Sequence, residues 1–330
     1  MTLQFTLSAV LTGLSAISLV AIPSSGGARW DAMTHHVIAA IAYERLQPST
    51  RARVDSLLRF HPDLDSLRRG LDLGTPYGSR ELFMRVSVWP DMVRRDPRFY
   101  DEANTASVPT PLLPGYPDMQ RHASWHYMSQ SFATDGTAPA ALGVPNTVTQ
   151  LAAFARAVGD ASVPAAVRAY DLAWIVHIVS DLHQPLHGTS RSSRRFPNGD
   201  AGGNSERVQH GAMPGDTINL HAFWDGVVTR ANRGGSPLEL ARRLAAATPV
   251  DVKSTEISVN DLSLDATLGE WAAESATLAR YVVYDIEPRA EGAAPPRTTP
   301  AYERLAEQIA RQRVTLAGYR LAALLETRLR

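Results

Sequence analysis

The stretch HIVSDLHQPLH, residues 177–187, places three histidines and an aspartate within eleven positions of the chain. His177 and Asp181 are four residues apart, so on a helix they lie on one face, where a single zinc ion can take both side chains. The other residues around His177 and Asp181 are strongly apolar: Leu172, Ala173, Trp174, Ile175, Val176, Ile178, Val179 and Leu182. The pattern predicts a buried helix whose polar stripe faces an internal site, where ionisable groups need a partner such as a metal ion.

The same spacing returns in His221 and Asp225, again inside a helical pattern. Either pair alone is more simply explained as a hydrogen bond on a helix surface. Two such pairs in one chain favour a metal site instead. His35, Asp91 and His126 are further candidates, each too isolated in the sequence to indicate a ligand without its neighbours.

Composition narrows the possible chemistry. The chain has 330 residues and 44% hydrophobic residues, which excludes a mostly disordered protein. Its 33 Lys and Arg balance 33 Asp and Glu, which argues against a broad basic face for duplex nucleic acid. The complete lack of cysteine excludes disulfides, thiolate zinc sites and cysteine nucleophiles, so any metal must be held by His, Asp, Glu or backbone atoms. Motifs typical of metalloproteases, P-loop enzymes and serine hydrolases are missing from the sequence.

The organisation of the chain predicts an all-α protein. Apolar residues recur every three to four positions in nine segments: 35–47, 49–60, 78–95, 146–159, 163–187, 216–230, 236–247, 263–286 and 300–329. Alternating strand patterns are scarce, and residues 99–122 and 188–216 have the composition of loops. Because no internal repeat or domain linker interrupts the pattern, we expect one multi-helix domain over residues 29–330.

The first 28 residues carry no charge, and an apolar run ends in the small residues of positions 24–28. This composition predicts a signal peptide over residues 1–28 and an exported protein, periplasmic or secreted. An uncleaved anchor is the alternative, since the run approaches the length of a short membrane span. After signal removal we expect no stable association with a membrane.

Taken in order, these segments resemble the trinuclear zinc nucleases that cut single-stranded nucleic acid, a family that also acts as 3′-nucleotidases. The resemblance covers nearly the whole mature chain and extends to bacterial zinc phospholipase C as a distant relative. It implies the all-α fold of the zinc phospholipase C/nuclease type. The matching motifs are Trp30 with His35, Trp89-Pro90-Asp91, Trp125-His126-Tyr127, residues 177–187, Gly202-Gly203-Asn204, Asn219-Leu220-His221 with Trp224-Asp225, Trp271-Ala272-Ala273-Glu274-Ser275, and Ala317-Gly318-Tyr319-Arg320-Leu321-Ala322.

The resemblance also assigns ligands for three zinc ions. One ion would be held by Asp91, His126, His177 and Asp181. Asp181 would bridge to a second ion, which is completed by His35 and by the amino and carbonyl groups of an N-terminal Trp30. The third ion would be held by His187, His221 and Asp225.

For the reaction, the resemblance implies hydrolysis of single-stranded RNA and DNA to 5′-phosphate products, and release of phosphate from 3′-nucleotides. We expect the protein to be a monomer. Asp91 would orient the attacking water, and Arg94 would neutralise charge on the phosphate. Tyr127 would stack on a base, and Asn204 would contact substrate. The residues alone leave simpler roles open: a solvated arginine, a packed tyrosine and a turn-forming asparagine.

Two departures from the family bear on these assignments. Arg29 precedes Trp30 and is a poor residue for signal cleavage, so the second zinc site depends on where the mature chain begins. Ser129 stands where fungal members place an aspartate that contacts the base, which leaves base preference open.

Two other functions compete with the nuclease. A zinc phospholipase C generally closes its third site with a glutamate four residues after the histidine, whereas this chain has Asp225. A catalytically silent zinc-binding helical surface protein would keep the ligands without turnover.

Overall fold

The computed structural model describes residues 30–210, 216–232, 235–257, 260–286 and 292–330. These residues fold into a mainly helical domain, which confirms the predicted fold class. The α-helices in chain order, α1 to α12, are Ala32–Arg45, Pro48–Leu58, Leu64–Leu67, Pro76–Val86, Trp89–Val93, Thr147–Ala157, Ala165–Leu182, Leu220–Asp225, Val227–Ala231, Pro237–Ala247, Asp261–Leu278 and Pro300–Arg328. Short 3-10 turns span Ala123–His126, Pro185–His187 and Val252–Thr255, and a π-helical turn spans Ala279–Val283.

Helix α7 lies at the centre of the domain, as its apolar sequence predicts. Every residue from Ala169 to Leu182 is buried. Such a helix is apolar on all sides because neighbours surround it, and α7 packs against α1, α2, α4, α5, α6, α11 and α12. Trp174 lies in the middle of this helix, in edge-to-face contact with Trp89 and Trp125. The helix is therefore a rigid support for the two polar residues at its carboxyl end.

Helices α1 and α12 cross at a small residue. A side chain on Gly318 of α12 would lie 2.5 Å from a methyl group of Ile41 on α1, so only glycine permits this approach. The contact fixes α1 against the core and thereby the position of His35, three residues after the start of that helix.

The strands are few and short. Gln130–Ala133 (β1) pairs in parallel with Thr189–Ser192 (β2), and Arg207–Gln209 (β3) pairs antiparallel with Thr217–Asn219 (β4). Both small sheets lie in the segments between helices that follow His126 and His187 along the chain. β2 contacts the turn Pro185–His187 that follows α7, and β3 and β4 contact α8.

The structure divides three of the predicted helices. Predicted helix 78–95 breaks between α4 and α5, and predicted helix 163–187 ends at Leu182 before Pro185 opens a 3-10 turn. Predicted helix 216–230 begins as β4 and continues as α8 and α9, which join at Gly226. The predicted loop 188–216 contains β2 and β3.

The predicted signal peptide, residues 1–28, and Arg29 lie outside the described residues. Among the helices that the structure describes, none combines the length and the apolar character that a membrane span requires.

A buried histidine beside α5 gives the fold a dependence on pH. The His61 ring packs edge-on against Trp89, and its Nδ1 accepts a hydrogen bond of 3.1 Å from the backbone N–H of Asp63. Burial lowers the pKa of His61 to about 4, against the opposing effect of Asp63. The unfolded chain therefore binds this proton more readily, so the contribution to stability is present above pH 6.5 and is lost as the pH falls toward 4.

We expect His61 to lower the free energy of unfolding by about 2 kcal/mol between pH 7 and pH 5. The variant His61→Asn keeps an acceptor for the Asp63 N–H but cannot bind the proton. Urea unfolding of both proteins at the two pH values should show a smaller loss for the variant. Equal losses would contradict this assignment.

Candidate metal centre

Eight of the predicted ligands converge from six parts of the chain. All eight are buried except Asp91, whose side chain is 24% exposed. Helix α1 supplies one, α5 one, the 3-10 turn Ala123–His126 one, α7 two, the turn Pro185–His187 one and α8 two: His35, Asp91, His126, His177, Asp181, His187, His221 and Asp225.

The first cluster forms where α7 meets the turn that ends at His126. His126 Nδ1 lies 2.8 Å from His177 Nε2. Asp181 Oδ2 lies 2.9 Å from His177 Nε2 and 3.1 Å from His126 Nδ1. Asp91 Oδ1 lies 3.5 Å from His177 Nε2 and 3.8 Å from His126 Nδ1. The i,i+4 spacing of His177 and Asp181 thus places both side chains at one point, as predicted.

His35 extends this cluster on its other side. Its ring stacks on His177 with ring centroids 4.3 Å apart. His35 Nε2 lies 3.5 Å from Asp181 Oδ1 and 4.0 Å from Asp91 Oδ2. Each of the two aspartates therefore turns one oxygen toward His35 and the other toward the His126–His177 pair. This geometry is that of two neighbouring cation sites with shared carboxylates.

Trp30 lies beside the cluster with its side chain buried. The indole Nε1–H donates a hydrogen bond of 3.0 Å to the carbonyl of Ser180, one residue before Asp181. The contact places the indole ring of Trp30 next to the ligand end of α7. Coordination by its amino group requires removal of Arg29, so this role remains a prediction.

The remaining predicted ligands form a separate cluster. His187 Nε2 lies 3.1 Å from His221 Nε2, and His221 Nε2 lies 3.6 Å from Asp225 Oδ2. Gln184 donates a hydrogen bond of 2.8 Å to the other carboxylate oxygen, Asp225 Oδ1. Within the described residues, three groups of side chains each bring their donor atoms within 4.8 Å of one another. This cluster is one group, and the other two overlap. His177 belongs to both overlapping groups, one with His35 and Asp91 and one with His126 and Asp181.

Backbone carbonyls fix which ring nitrogens face these clusters. The Nδ1 atoms of three histidines each lie 2.7 Å from a carbonyl oxygen: His177 from Ser87, His187 from His126, and His221 from Gly202. A carbonyl only accepts, so each Nδ1 carries the proton and each neutral ring turns the lone pair of Nε2 inward.

The inward lone pairs provide a test of whether these residues fit a metal ion. The Nε2 atoms of His187 and His221 lie 3.1 Å apart, and their lone pairs repel each other unless a cation lies between them. Four-coordinate zinc bound at about 2.0–2.1 Å holds neighbouring nitrogens about 3.3 Å apart, which matches this spacing. The donors are all nitrogen and oxygen, as zinc accepts. The residues therefore fit zinc.

Electrostatics keeps the shared carboxylate ionised. Burial acts to raise the pKa of Asp181, but the charges that His177 and His187 carry when protonated, together with hydrogen bonds from His126 and His177, hold the pKa well below its ordinary value. The buried cluster thus contains an anion, the form that binds a cation.

A glycine holds the carbonyl that orients His221. Gly202 has a φ of +61°, and a Cβ at this position would lie 2.6 Å from the Leu186 carbonyl oxygen. We expect Gly202→Ala to lower the free energy of unfolding by about 1–3 kcal/mol and to weaken zinc binding at His187 and His221 by about 10–100-fold, because the carbonyl must move.

The matched control is Gly136→Ala. Gly136 also has a positive φ of +81°, but a Cβ at this position would have no described residue within 4 Å. Urea unfolding and competition with a chromogenic chelator measure the two effects. An equal loss of zinc affinity in the control would refute the role of the Gly202 carbonyl.

Three predicted substrate and catalytic residues border the clusters. Arg94 is half-buried and acts electrostatically on Tyr127 and Asp181. Burial lowers the pKa of Arg94, and no carboxylate lies within ion-pair distance of it in the part of the chain that the structure describes. Tyr127 is 42% exposed, so it is not the packed core residue of the simpler interpretation. Asn204 donates from its side-chain amide to the Ala201 carbonyl at 2.8 Å, which supports its role as a turn residue.

Sequence reasoning missed the groups that orient the ligands. The carbonyls of Ser87 and Gly202 gave no signal because every residue carries one. A polar cluster at the carboxyl end of α7 contains Glu274 and Arg320, which stand in motifs that resemble the family. Glu274 accepts from Arg320 at 2.6 and 2.8 Å and from Arg313 at 2.8 Å. Arg320 donates at 3.0 Å to His183, whose Nδ1 donates to the Val179 carbonyl. His183 thus links the carboxyl end of α7 to this cluster.

Comparison with known proteins gives two findings. A family model described as S1/P1 Nuclease matches residues 30–330. The chain is also similar to nuclease S1 of Aspergillus oryzae (strain ATCC 42149 / RIB 40), with 31% identity over 167 residues. That match covers 47% of this chain and 53% of the relative, so the chain spans about half the length of the curated relative.

Proposed function

Because this chain belongs to the S1/P1 nuclease family, we propose that it is a zinc-dependent phosphodiesterase that hydrolyses single-stranded RNA and DNA. One observation carries the proposal: Asp91 and Asp181 each present one oxygen to His35 and the other to the His126–His177 pair. Shared carboxylates of this kind support two adjacent metal ions, the arrangement used for in-line displacement at phosphorus.

Three zinc ions would be held by the ligands that the resemblance assigns. His126, His177, Asp91 and Asp181 would hold one, and His35, Asp181 and the amino-terminal Trp30 a second. His187, His221 and Asp225 would hold the third. When bound, zinc supplies positive charge for the phosphate and lowers the pKa of bound water.

The protein's own residues would position the reacting groups. Asp91 is the one partly exposed carboxylate of the first cluster, so it orients the attacking water where substrate enters. Arg94 follows one turn later and would place its guanidinium, which has no carboxylate partner in the described part of the chain, beside the phosphate, where charge develops in the transition state. The reaction releases a 5′-phosphate, with the leaving 3′ oxygen at the cluster of His187 and His221. A phosphate at the 3′ end of a nucleotide would be released at the same site.

Tyr127 would select single strands. Its exposed ring lies next to His126 in the chain and stacks on an unpaired base, which a duplex does not offer. Asn204, already engaged with Ala201, would contact substrate through its remaining amide oxygen.

The two parts of the chain would have different roles. Residues 1–28 would direct export to the periplasm or the medium and be removed, and residues 29–330 would form the nuclease domain. The mature enzyme would act as a monomer without stable membrane association.

A substrate panel tests the function. The zinc-loaded mature protein is assayed on single-stranded RNA, single-stranded DNA, duplex DNA, 3′-AMP and phosphatidylcholine, with zinc counted in the same samples. Chelator-sensitive cleavage of single strands with about three zinc ions per chain supports the proposal. Hydrolysis of lipid alone would identify a phospholipase C. A zinc-loaded protein without turnover on any substrate would be a silent zinc-binding protein.

A further inference from the structure

A cavity of about 270 Å³ lies at the amino-terminal end of α7, away from the ligand end. The carboxyl ends of α2 and α12 and the connection between α6 and α7 enclose it. Arginines dominate its lining, together with one aromatic ring: Arg53, Phe60, Arg168, Arg328 and Arg330. None of the predicted zinc ligands contributes to this cavity.

The arginines leave positive charge in the cavity. Arg53 and Arg168 donate to the backbone carbonyls of Leu329 and Val158, and neither forms an ion pair within the described ranges. Arg328 pairs with Asp261 through Nη1, while its buried Nε and Nη2 have no hydrogen-bond partner among the residues that the structure describes. The carboxylate of Asp160 acts on Arg168 and offsets part of this charge. A backbone α-carboxylate at Arg330 would offset at most one further positive charge of the cavity.

Helix α7 adds to this field. Its first residue, Ala165, lines the cavity, and the N–H groups of its first turn have no acceptors within the helix. The amino-terminal end of an 18-residue helix carries a partial positive charge, so it favours an anion at the same place. Guanidinium groups pair with the oxygens of a phosphate in two parallel hydrogen bonds.

Phe60 gives the cavity a second kind of contact. Its ring lines the cavity and is 55% exposed, although Phe is usually buried. An exposed ring beside arginines provides stacking for a base while the arginines bind its phosphate. The combination distinguishes a nucleotide from a simple anion.

From these contacts we infer that the cavity is a binding site for a nucleoside phosphate, separate from the metal centre. Arg53, Arg168 and Arg328 bind the phosphate, and Phe60 stacks on the base. Arg168 lies nine residues before His177 on α7, which places the two sites about 14 Å apart along the helix axis. The site is distinct from the one proposed for hydrolysis, and binding there does not require that the protein be a nuclease.

The test is calorimetric titration of the zinc-loaded protein with 5′-AMP, inorganic phosphate and adenosine. The variants are Arg53→Gln and Phe60→Ala, two exposed positions whose replacement spares the core. The matched controls are Arg69→Gln and Tyr77→Ala, an exposed arginine and an exposed aromatic residue outside the cavity. We expect a binding event for AMP that weakens about tenfold or more in each cavity variant and persists in both controls.

Two outcomes would overturn the inference. AMP binding that is the same in the cavity variants and the controls would show that the cavity binds no nucleotide. Phosphate that binds as tightly as AMP, with no effect of Phe60→Ala, would reduce the cavity to a simple anion site. Turnover of single-stranded RNA, measured on the same samples, reports on the proposed nuclease separately, because the cavity variants leave the metal clusters intact.

Discussion

Asp181→Asn is expected to remove two of three zinc ions and to lower turnover of single-stranded RNA by at least about 10³-fold. The carboxylate faces His126 and His177 with one oxygen and His35 with the other. Asparagine offers one neutral oxygen, so it cannot serve two cations. Its NH₂ group would also donate to the lone pair of His177 that is otherwise free for a metal. Zinc counted by mass spectrometry should fall from three ions to one, at the cluster of His187 and His221.

Asp171→Asn is the matched control on the same helix. Asp171 is buried on α7 ten residues earlier and belongs to none of the three clusters. Burial raises its pKa to about 7, so asparagine replaces a carboxyl that is about half protonated at neutral pH and largely protonated at more acidic pH. The control should keep three zinc ions and nearly full activity. Retention of all zinc by Asp181→Asn would contradict the shared-carboxylate arrangement.

Arg94→Ala is expected to lower kcat by about 10²–10³-fold while the zinc content stays at three. Arg94 has no carboxylate partner among the described residues, so its charge is available to a phosphate as negative charge develops. The loss should appear in kcat more than in KM, because the interaction strengthens in the transition state. Steady-state kinetics on a short oligonucleotide separates the two parameters.

The neighbouring Arg95 provides the control for Arg94. Its side chain is exposed, whereas Arg94 is half-buried beside Asp181. Arg95→Ala changes the net charge equally and should alter kcat by no more than about twofold. Equal losses in both variants would indicate general attraction of the nucleic acid to positive charge, and would remove the transition-state role of Arg94.

The sequence predicted what depends on local periodicity. Apolar residues all around the future α7 predicted its burial, and the four-residue spacing predicted that His177 and Asp181 share a face. The same rule paired His221 with Asp225. These relations hold because a helix fixes the neighbours of each residue within one turn.

The orienting contacts depend on long-range geometry and could not be predicted in this way. The apolar periodicity predicted one helix over residues 78–95, yet the helix is interrupted between α4 and α5. The break leaves the Ser87 carbonyl for the Nδ1–H of His177, ninety residues away. The left-handed backbone of Gly202 likewise sets the ring of His221, and only the folded loop brings the two together. The assignment of the ligands to three separate ions came from the family resemblance, since isolated histidines such as His35 have no partner at a telling spacing in the sequence.

Anomalous diffraction at the zinc absorption edge, on crystals of the mature protein, tests the central claim most directly. We expect three peaks: one between His126 and His177, one beside His35, and one between His187 and His221. Each should lie about 2.0–2.2 Å from its histidine nitrogens. Crystals of active enzyme with no peak at these clusters would contradict the account.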